Sequence, residues 1–242
     1  MIATKFNSVF DETTRQVTGS DTSPEGIRKA CEESLRRLNT DTIDLYQFHD
    51  NGYPAEKAVP IRETLENLVQ AGKIRAYGWS TDFVDRADVF AQGPKCTSIQ
   101  FQLNVLDDNP AMIAFCEKHN LAAINRGPLA MGLLTGKYTT ATKVGVDDVR
   151  GQKSPEWMKY FKDGKPNPEW MSMRDAILEV ITSKGRTVAQ GALAWNWART
   201  SQTIPIPGFR TVKQVEENAK AMEFGPLTPE QMKRIEVILK RA

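Results

Sequence analysis

Short apolar runs alternate along the chain with longer amphipathic stretches. Residues 2–6 predict a strand, and a polar loop rich in Thr, Asp and Ser then leads to Ser23, Pro24 and Glu25. Ser23 can cap the free N–H groups of a helix start and Pro24 suits the first helical position. Ile27, Ala30, Cys31, Leu35 and Leu38 follow at three- and four-residue spacing, so a helix is predicted there. Residues 44–49 predict the second strand. Pro60 begins a helix with Ile61, Leu65, Leu68 and Val69 on one side, and Gly72 ends it at a C′ position.

The alternation continues with strands predicted at 74–80, 98–104, 122–129 and 203–207, and helices at 83–91 and from Asn109-Pro110 through Ile113 and Cys116. Residues 130–170 predict an irregular stretch, too long for an idle connection, and therefore a lid. Two helical segments split near Gly185 and Arg186, the second capped by Thr187. Val212, Val215, Ala219 and Met222 mark a short helix, and Thr228-Pro229-Glu230-Gln231 forms a capping box for the last one. Six strands, each followed by a helix and apolar on both faces, imply a parallel α/β sheet buried under helices. An open doubly wound sheet needs a glycine-rich turn after its first strand, yet residues 5–15 hold no Gly. A (β/α)8 TIM barrel fits better. Such a barrel has eight strands in ~250 residues, so about six βα units predict an incomplete barrel without its first two.

Composition narrows the function. In 242 residues, 32 Lys and Arg against 30 Asp and Glu leave a net charge of +2, with 40% apolar and 26% charged residues. These values predict one folded domain over 1–242 and no electrostatic grip on nucleic acid or an anionic membrane. Cys31, Cys96 and Cys116 are odd in number and far apart, with no metal-type Cys/His pair, which predicts a reducing, cytoplasmic setting and no metal. No apolar run resembles a signal peptide or reaches membrane-spanning length.

In barrels the chemistry gathers at the C-terminal ends of strands, where this chain places Lys5, His49, Ser80, Gln100, Asn104 and Arg126. A Lys in a barrel mouth is expensive to desolvate unless it serves chemistry; the other possibility is a Lys on a frayed end. His49 is open to two readings, a site residue or a satisfied core histidine. Gly208-Phe209-Arg210, between a strand and a helix, suits a phosphate, or else is a turn with a solvated Arg. Walker loops and Gly-x-Ser-x-Gly elbows are absent.

Taken in order, Ile2-Ala3-Thr4-Lys5, Asp44-Leu45-Tyr46-Gln47-Phe48-His49, Gly78-Trp79-Ser80-Thr81, Ile99-Gln100, Arg126-Gly127-Pro128-Leu129, Gly132-Leu133-Leu134-Thr135-Gly136-Lys137 and Pro205-Ile206-Pro207-Gly208-Phe209-Arg210 resemble the aldo-keto reductases over nearly the whole chain. The resemblance implies a barrel that binds NADP(H) in extended form and reduces aldehydes or ketones by hydride transfer. It implies that Lys5 is the lysine that lowers the pKa of the acid tyrosine, and that His49 orients the substrate carbonyl. By the same resemblance Ser80, Thr81 and Gln100 hold the nicotinamide carboxamide, with Thr81 where Asn is common. Arg126 stands where many members stack a Tyr on the nicotinamide. Pro128 and Leu129 continue that cofactor wall, and Gly208, Arg210, Gln214, Glu217 and Asn218 cradle the adenosine 2′-phosphate and adenine.

The family also implies an Asp and an acid Tyr ahead of the lysine, and only four residues precede Lys5. None of Tyr46, Tyr53, Tyr77, Tyr138 and Tyr160 takes the acid's place; Tyr46, three residues before His49, faces the other way. Weak turnover is therefore expected, along with self-association through sheet edges left bare. Two other functions compete: a catalytically impaired nucleotide-binding module or subunit on the same fold, and a phosphosugar lyase or isomerase using Lys5 as a Schiff-base amine beside Asp50.

Overall fold

The computed structural model describes residues 1–241. The chain divides into two compact units: Met1–Phe101 with Pro110–Ile124, and Gln102–Asn109 with the chain from Asn125 onward.

The first unit contains β1 (Ala3–Phe6), β2 (Ser8–Phe10), β3 (Val17–Ser20), α1 (Pro24–Leu38), β4 (Ile43–Phe48), α2 (Val59–Gln70), β5 (Ile74–Ser80), α3 (Val84–Ala91), β6 (Cys96–Gln102, reaching the second unit at its last residue), α4 (Pro110–His119) and the start of β7 (Ala122–Arg126). Its strands run β1-β4-β5-β6-β7, and the pairs from β1 to β6 are parallel. Ser23 caps α1 by accepting the Gly26 N–H at 3.0 Å, and Asn39 ends it in the left-handed region at φ 51°. Ile27, Cys31 and Leu35 of α1, and Ile61, Leu65 and Leu68 of α2, are buried as their spacing requires.

The register sorts the sheet into two faces. Phe6 pairs with Phe48 and Phe48 with Trp79, and Phe90 of α3 packs on Trp79 with ring centres 4.8 Å apart. Tyr46 and Tyr77 share this aromatic face, and Tyr46 stacks on Phe6 at 4.7 Å. The alternate positions carry the polar residues described below.

Three sequence expectations change. The polar loop at 7–22 contains the β2–β3 hairpin, closed by the Arg15 N–H to the Asp11 carbonyl at 2.8 Å. Its strands are three and four residues long and wholly exposed, so no buried face imposed a readable alternation. Residues 136–160 carry no helix or strand, as expected, but the 130–170 stretch is not irregular throughout. It holds 3-10 turns at Ala130–Thr135, a second hairpin of β8 (Phe161–Lys162) and β9 (Lys165–Pro166), and the start of α5 (Pro168–Ile181); Tyr138, Met158, Tyr160 and Phe161 are buried. The fifth predicted strand stops at Arg126, because Gly127 turns the chain at φ +64°.

The second unit continues with α6 (Val188–Arg199), β10 (Thr203–Pro205), α7 (Val212–Phe224) and α8 (Pro229–Ile238). The expected capping box of Thr228 with Gln231 forms, and the expected Thr187 cap proves to be a box as well, with Gln190. The Ile206 N–H bonds the Asn125 carbonyl at 3.0 Å, which continues β10 alongside the end of β7. The fold is α/β with a parallel central sheet. Among the described residues no helix is long and apolar enough to cross a membrane, and the three cysteines are free and buried.

Candidate functional site

In the first unit the candidates share one face. Lys5 pairs with Gln47, Gln47 with Gly78, and Gly78 with Ser98. His49 is two residues beyond Gln47, and Ser80 and Gln100, themselves paired, are two beyond Gly78 and Ser98. Period-two alternation therefore puts Lys5, Gln47, His49, Ser80, Ser98 and Gln100 together, opposite the aromatic face. The His49 N–H bonds the Phe6 carbonyl at 3.0 Å, which fixes it beside the end of β1. Lys5 is half-buried, His49 exposed, and Ser80 and Gln100 buried.

Gly78 is required in this row: a Cβ there would sit 2.3 Å from the Ser98 carbonyl. On either side of it, Gln47 Oε1 and Ser98 Oγ are buried without a hydrogen-bond partner. Buried polar atoms normally find partners, so this face is suited to a polar ligand group. Thr81 follows Ser80 directly at the end of β5. Its hydroxyl bonds the Asn51 carbonyl at 3.4 Å and accepts the Phe83 N–H at 3.3 Å, which locks the turn between β5 and α3.

The second unit holds a cleft of about 620 Å³. Pro128, Leu129, Gly208, Arg210, Gln214, Glu217 and Asn218, all proposed from the sequence, line it. Arg126 lies one residue before the lining Gly127 and donates to Gln102 Oε1 at 3.0 Å. Thr211 caps α7 by accepting the Gln214 N–H at 3.3 Å, and Gln214 Oε1 accepts the Arg210 N–H at 2.7 Å, so the bend carrying Arg210 is held from both sides. A Cβ on Gly208 would meet nothing within 4 Å, which leaves that backbone open to a ligand.

Sequence reading missed several lining residues. Asp148 and Arg150 form a two-point ion pair at 2.7 and 2.6 Å, and Arg150 also reaches the Met131 carbonyl at 3.0 Å. The Arg150 guanidinium holds the Asp148 carboxyl well below the usual range, and Arg210 acts in the same direction. With Lys137 and Lys213, the cleft is lined by more cations than carboxylates, as an anionic ligand requires. The only available signal was the density of Lys and Arg in 130–170. A second hollow, of about 440 Å³, lies at Arg62, Glu66 and Gln92; there Glu66 Oε1 is already taken by the Tyr77 hydroxyl and the Lys95 N–H.

The aldo/keto reductase family model matches residues 1–240 and so runs through both units. The chain belongs to the aldo/keto reductase family. The fission yeast (Schizosaccharomyces pombe) aldo-keto reductase yakc, whose name specifies NADP(+), is 30% identical over 231 residues; these cover 92% of this chain and 64% of that relative. The chain thus spans less than two thirds of that relative's length. Among solved structures, the glycerol dehydrogenase AKR11B4 from Gluconobacter oxydans superposes with a TM-score of 0.81 and 32% identity, covering 99% of this chain and 72% of the other. The holo form of aldo-keto reductase AKR11C1 from Bacillus halodurans follows with 0.77 and 27%, covering 100% and 73%. These neighbours match the α/β architecture expected of a (β/α)8 reductase barrel.

Proposed function

We propose that this aldo/keto reductase chain binds NADP(H) and serves the reduction of aldehydes or ketones to alcohols. The observation that carries this reading is the cation-lined cleft with Arg210 and the start of α7 at its rim. Its volume falls within the roughly 300–1,000 Å³ of cofactor sites, and the open N–H groups of a helix start favour a phosphate. The yeast relative's name points to the same cofactor. A reduced nicotinamide supplies a hydride when bound.

Arg210 pairs with the 2′-phosphate, a dianion that a bare ribose hydroxyl cannot imitate. Gln214, Glu217 and Asn218, along α7, take the adenosine, while Pro128 and Leu129 give the cleft a buried apolar wall. In the second unit Arg126 serves the nicotinamide end, and in the first unit Ser80 and Gln100 match the residues that hold the carboxamide in the family. Lys5 supplies positive charge and His49 a hydrogen bond to the carbonyl oxygen.

Within the first unit no phenol joins Lys5 and His49 on their face. Tyr46 and Tyr77 lie on the aromatic face, and Tyr53 packs on Phe48 with its hydroxyl 3.3 Å from Thr22. A missing general acid lowers rate by ~10²–10⁴, so the chain's own turnover is slow. Fluorescence titration with NADPH and NADH, followed by turnover of an aromatic aldehyde, tests this. Preferred NADPH binding with slow turnover is expected; no NADPH binding refutes the reading. Binding with no turnover at all identifies the alternative, a nucleotide-binding module on the same fold.

β1 is hydrogen-bonded on one side only, and Val9, Phe10 and Val17 of the neighbouring hairpin are exposed. We propose that copies associate through this edge. Sedimentation showing a strict monomer at high concentration argues against it.

A further inference from the structure

A connected row of polar side chains in the second unit starts from Arg126 and runs on through residues that the function proposed above does not use. Arg126 Nη1 donates to Gln102 Oε1 at 3.0 Å, Gln102 Nε2 donates to the Tyr160 hydroxyl at 2.8 Å, and that hydroxyl donates to Asp107 Oδ2 at 3.0 Å. Lys159 Nζ closes the row on the same carboxylate oxygen at 2.6 Å. The direction of each bond follows from the groups themselves. A guanidinium only donates, so the amide oxygen of Gln102 must face Arg126 and its NH2 must face Tyr160. The phenol oxygen then accepts, and its proton points to a carboxylate that can only accept.

Neighbouring residues keep this row in place. Asn104 Nδ2 donates to the Tyr160 hydroxyl at 2.8 Å and to the Gly127 carbonyl at 3.1 Å, while Asn104 Oδ1 accepts the Leu106 N–H at 3.0 Å. At Gly127, with φ +64°, a Cβ would come within 2.6 Å of Gln102 Oε1, so the glycine leaves room for the amide. Tyr160 is 3% exposed, its ring edge-on to Trp170 at 5.0 Å, and its carbonyl accepts the N–H of Asn167, the cap of α5.

A buried phenol in a reductase invites the role of proton donor, but its surroundings oppose that. Burial first, then the Asp107 charge, push Tyr160 far above the ordinary phenol range, and its hydroxyl already makes three hydrogen bonds. Such a group orients its neighbours and keeps its proton. We propose that Tyr160, acting through Gln102, is a positioning residue that aims the Arg126 guanidinium at the nicotinamide end of the cofactor. This rests on the cofactor assignment above, with Arg126 at that end. It also gives the 130–170 segment a specific task, since its Tyr160 is hydrogen-bonded to Gln102.

The test uses the full chain with Tyr160→Phe, which keeps the ring, and Gln102→Leu as an independent variant. Each is titrated with NADPH and with adenosine 2′,5′-bisphosphate, which carries the 2′-phosphate but no nicotinamide. Both variants are expected to weaken NADPH roughly three- to tenfold and to leave the bisphosphate within about twofold, the scale of one hydrogen bond acting at one end. Tyr160→Phe combined with Arg126→Leu is expected to bind NADPH no more weakly than Arg126→Leu alone, because the two act through one path. Unchanged NADPH affinity, equal loss for both probes, or additive losses overturn the proposal. A wild-type chain that binds neither probe overturns the cofactor assignment itself, and this proposal with it.

Discussion

Removing the Arg210 guanidinium is the sharpest perturbation of the cofactor site. The side chain is exposed at the cleft rim, so its pairing with a phosphate is partly screened by water and salt. A hydrogen bond to a charged group contributes about 1.5–3 kcal/mol when well formed. An exposed rim position calls for the lower end, about 1.5–2 kcal/mol, or roughly 10–30-fold in Kd. The local backbone survives the change, because Thr211 still caps α7 through the Gln214 N–H and Gln214 still takes the backbone N–H of residue 210. Arg210→Ala is titrated by fluorescence with NADPH and, in parallel, NADH, at low and at physiological ionic strength. NADPH is expected to weaken by that factor and NADH hardly at all, with a smaller gap at higher salt. Equal weakening of both cofactors, or a loss indifferent to salt, refutes the assignment of Arg210 to the 2′-phosphate.

Phe90→Ala is expected to destabilise the chain by about 3–5 kcal/mol in urea unfolding. Its fully buried ring packs on Tyr77 and Trp79 at 5.7 and 4.8 Å; a loss under about 1 kcal/mol means the aromatic face is not organised around it. Burial pushes Cys31 up to about 11 and Cys96 and Cys116 to about 12, so Ellman's reagent near neutral pH is expected to find no thiol in the native chain and three after denaturation. These pKa values are raised in the folded state, so the stability they contribute is full below the ordinary thiol pKa. It is lost as pH rises from there toward about 11–12, visible as a falling urea midpoint. Thr187→Ala removes the hydroxyl that accepts the Gln190 N–H in a capping box, while the backbone N–H of residue 187 still reaches Gln190 Oε1, and is expected to cost about 0.5–2 kcal/mol; an unchanged thermal midpoint counts against that cap.

Much of the site was legible because it sits on parallel strands. Once Lys5, His49, Ser80 and Gln100 were each placed near a strand end, alternation alone put them on one face, and the register agrees. The segment after β10 was legible for a similar reason: Gly208 and Arg210 precede a cap, and a helix start offers its N–H groups to an anion. Asp148 and Arg150 were not legible. No periodicity surrounds them, and their place in the cleft depends on how the 130–170 segment folds back. Tyr160 was not legible as a positioning residue either, because its partner, Gln102, lies 58 residues away.

The residue order alone determined which stretches become the strands of the parallel sheet and its helices, where the caps fall and which way each of those strand side chains faces. Those properties depend on neighbours within about one helical turn, and the chain carries them wherever it goes. Only tertiary structure decided that a short hairpin forms at 161–166, that the 130–170 segment supplies Arg150 and Tyr160 to the second unit, and that Thr81 locks a turn. Those outcomes depend on contacts between residues far apart in the chain, whose formation rests on packing and on satisfying buried polar groups, and local spacing carries no record of them.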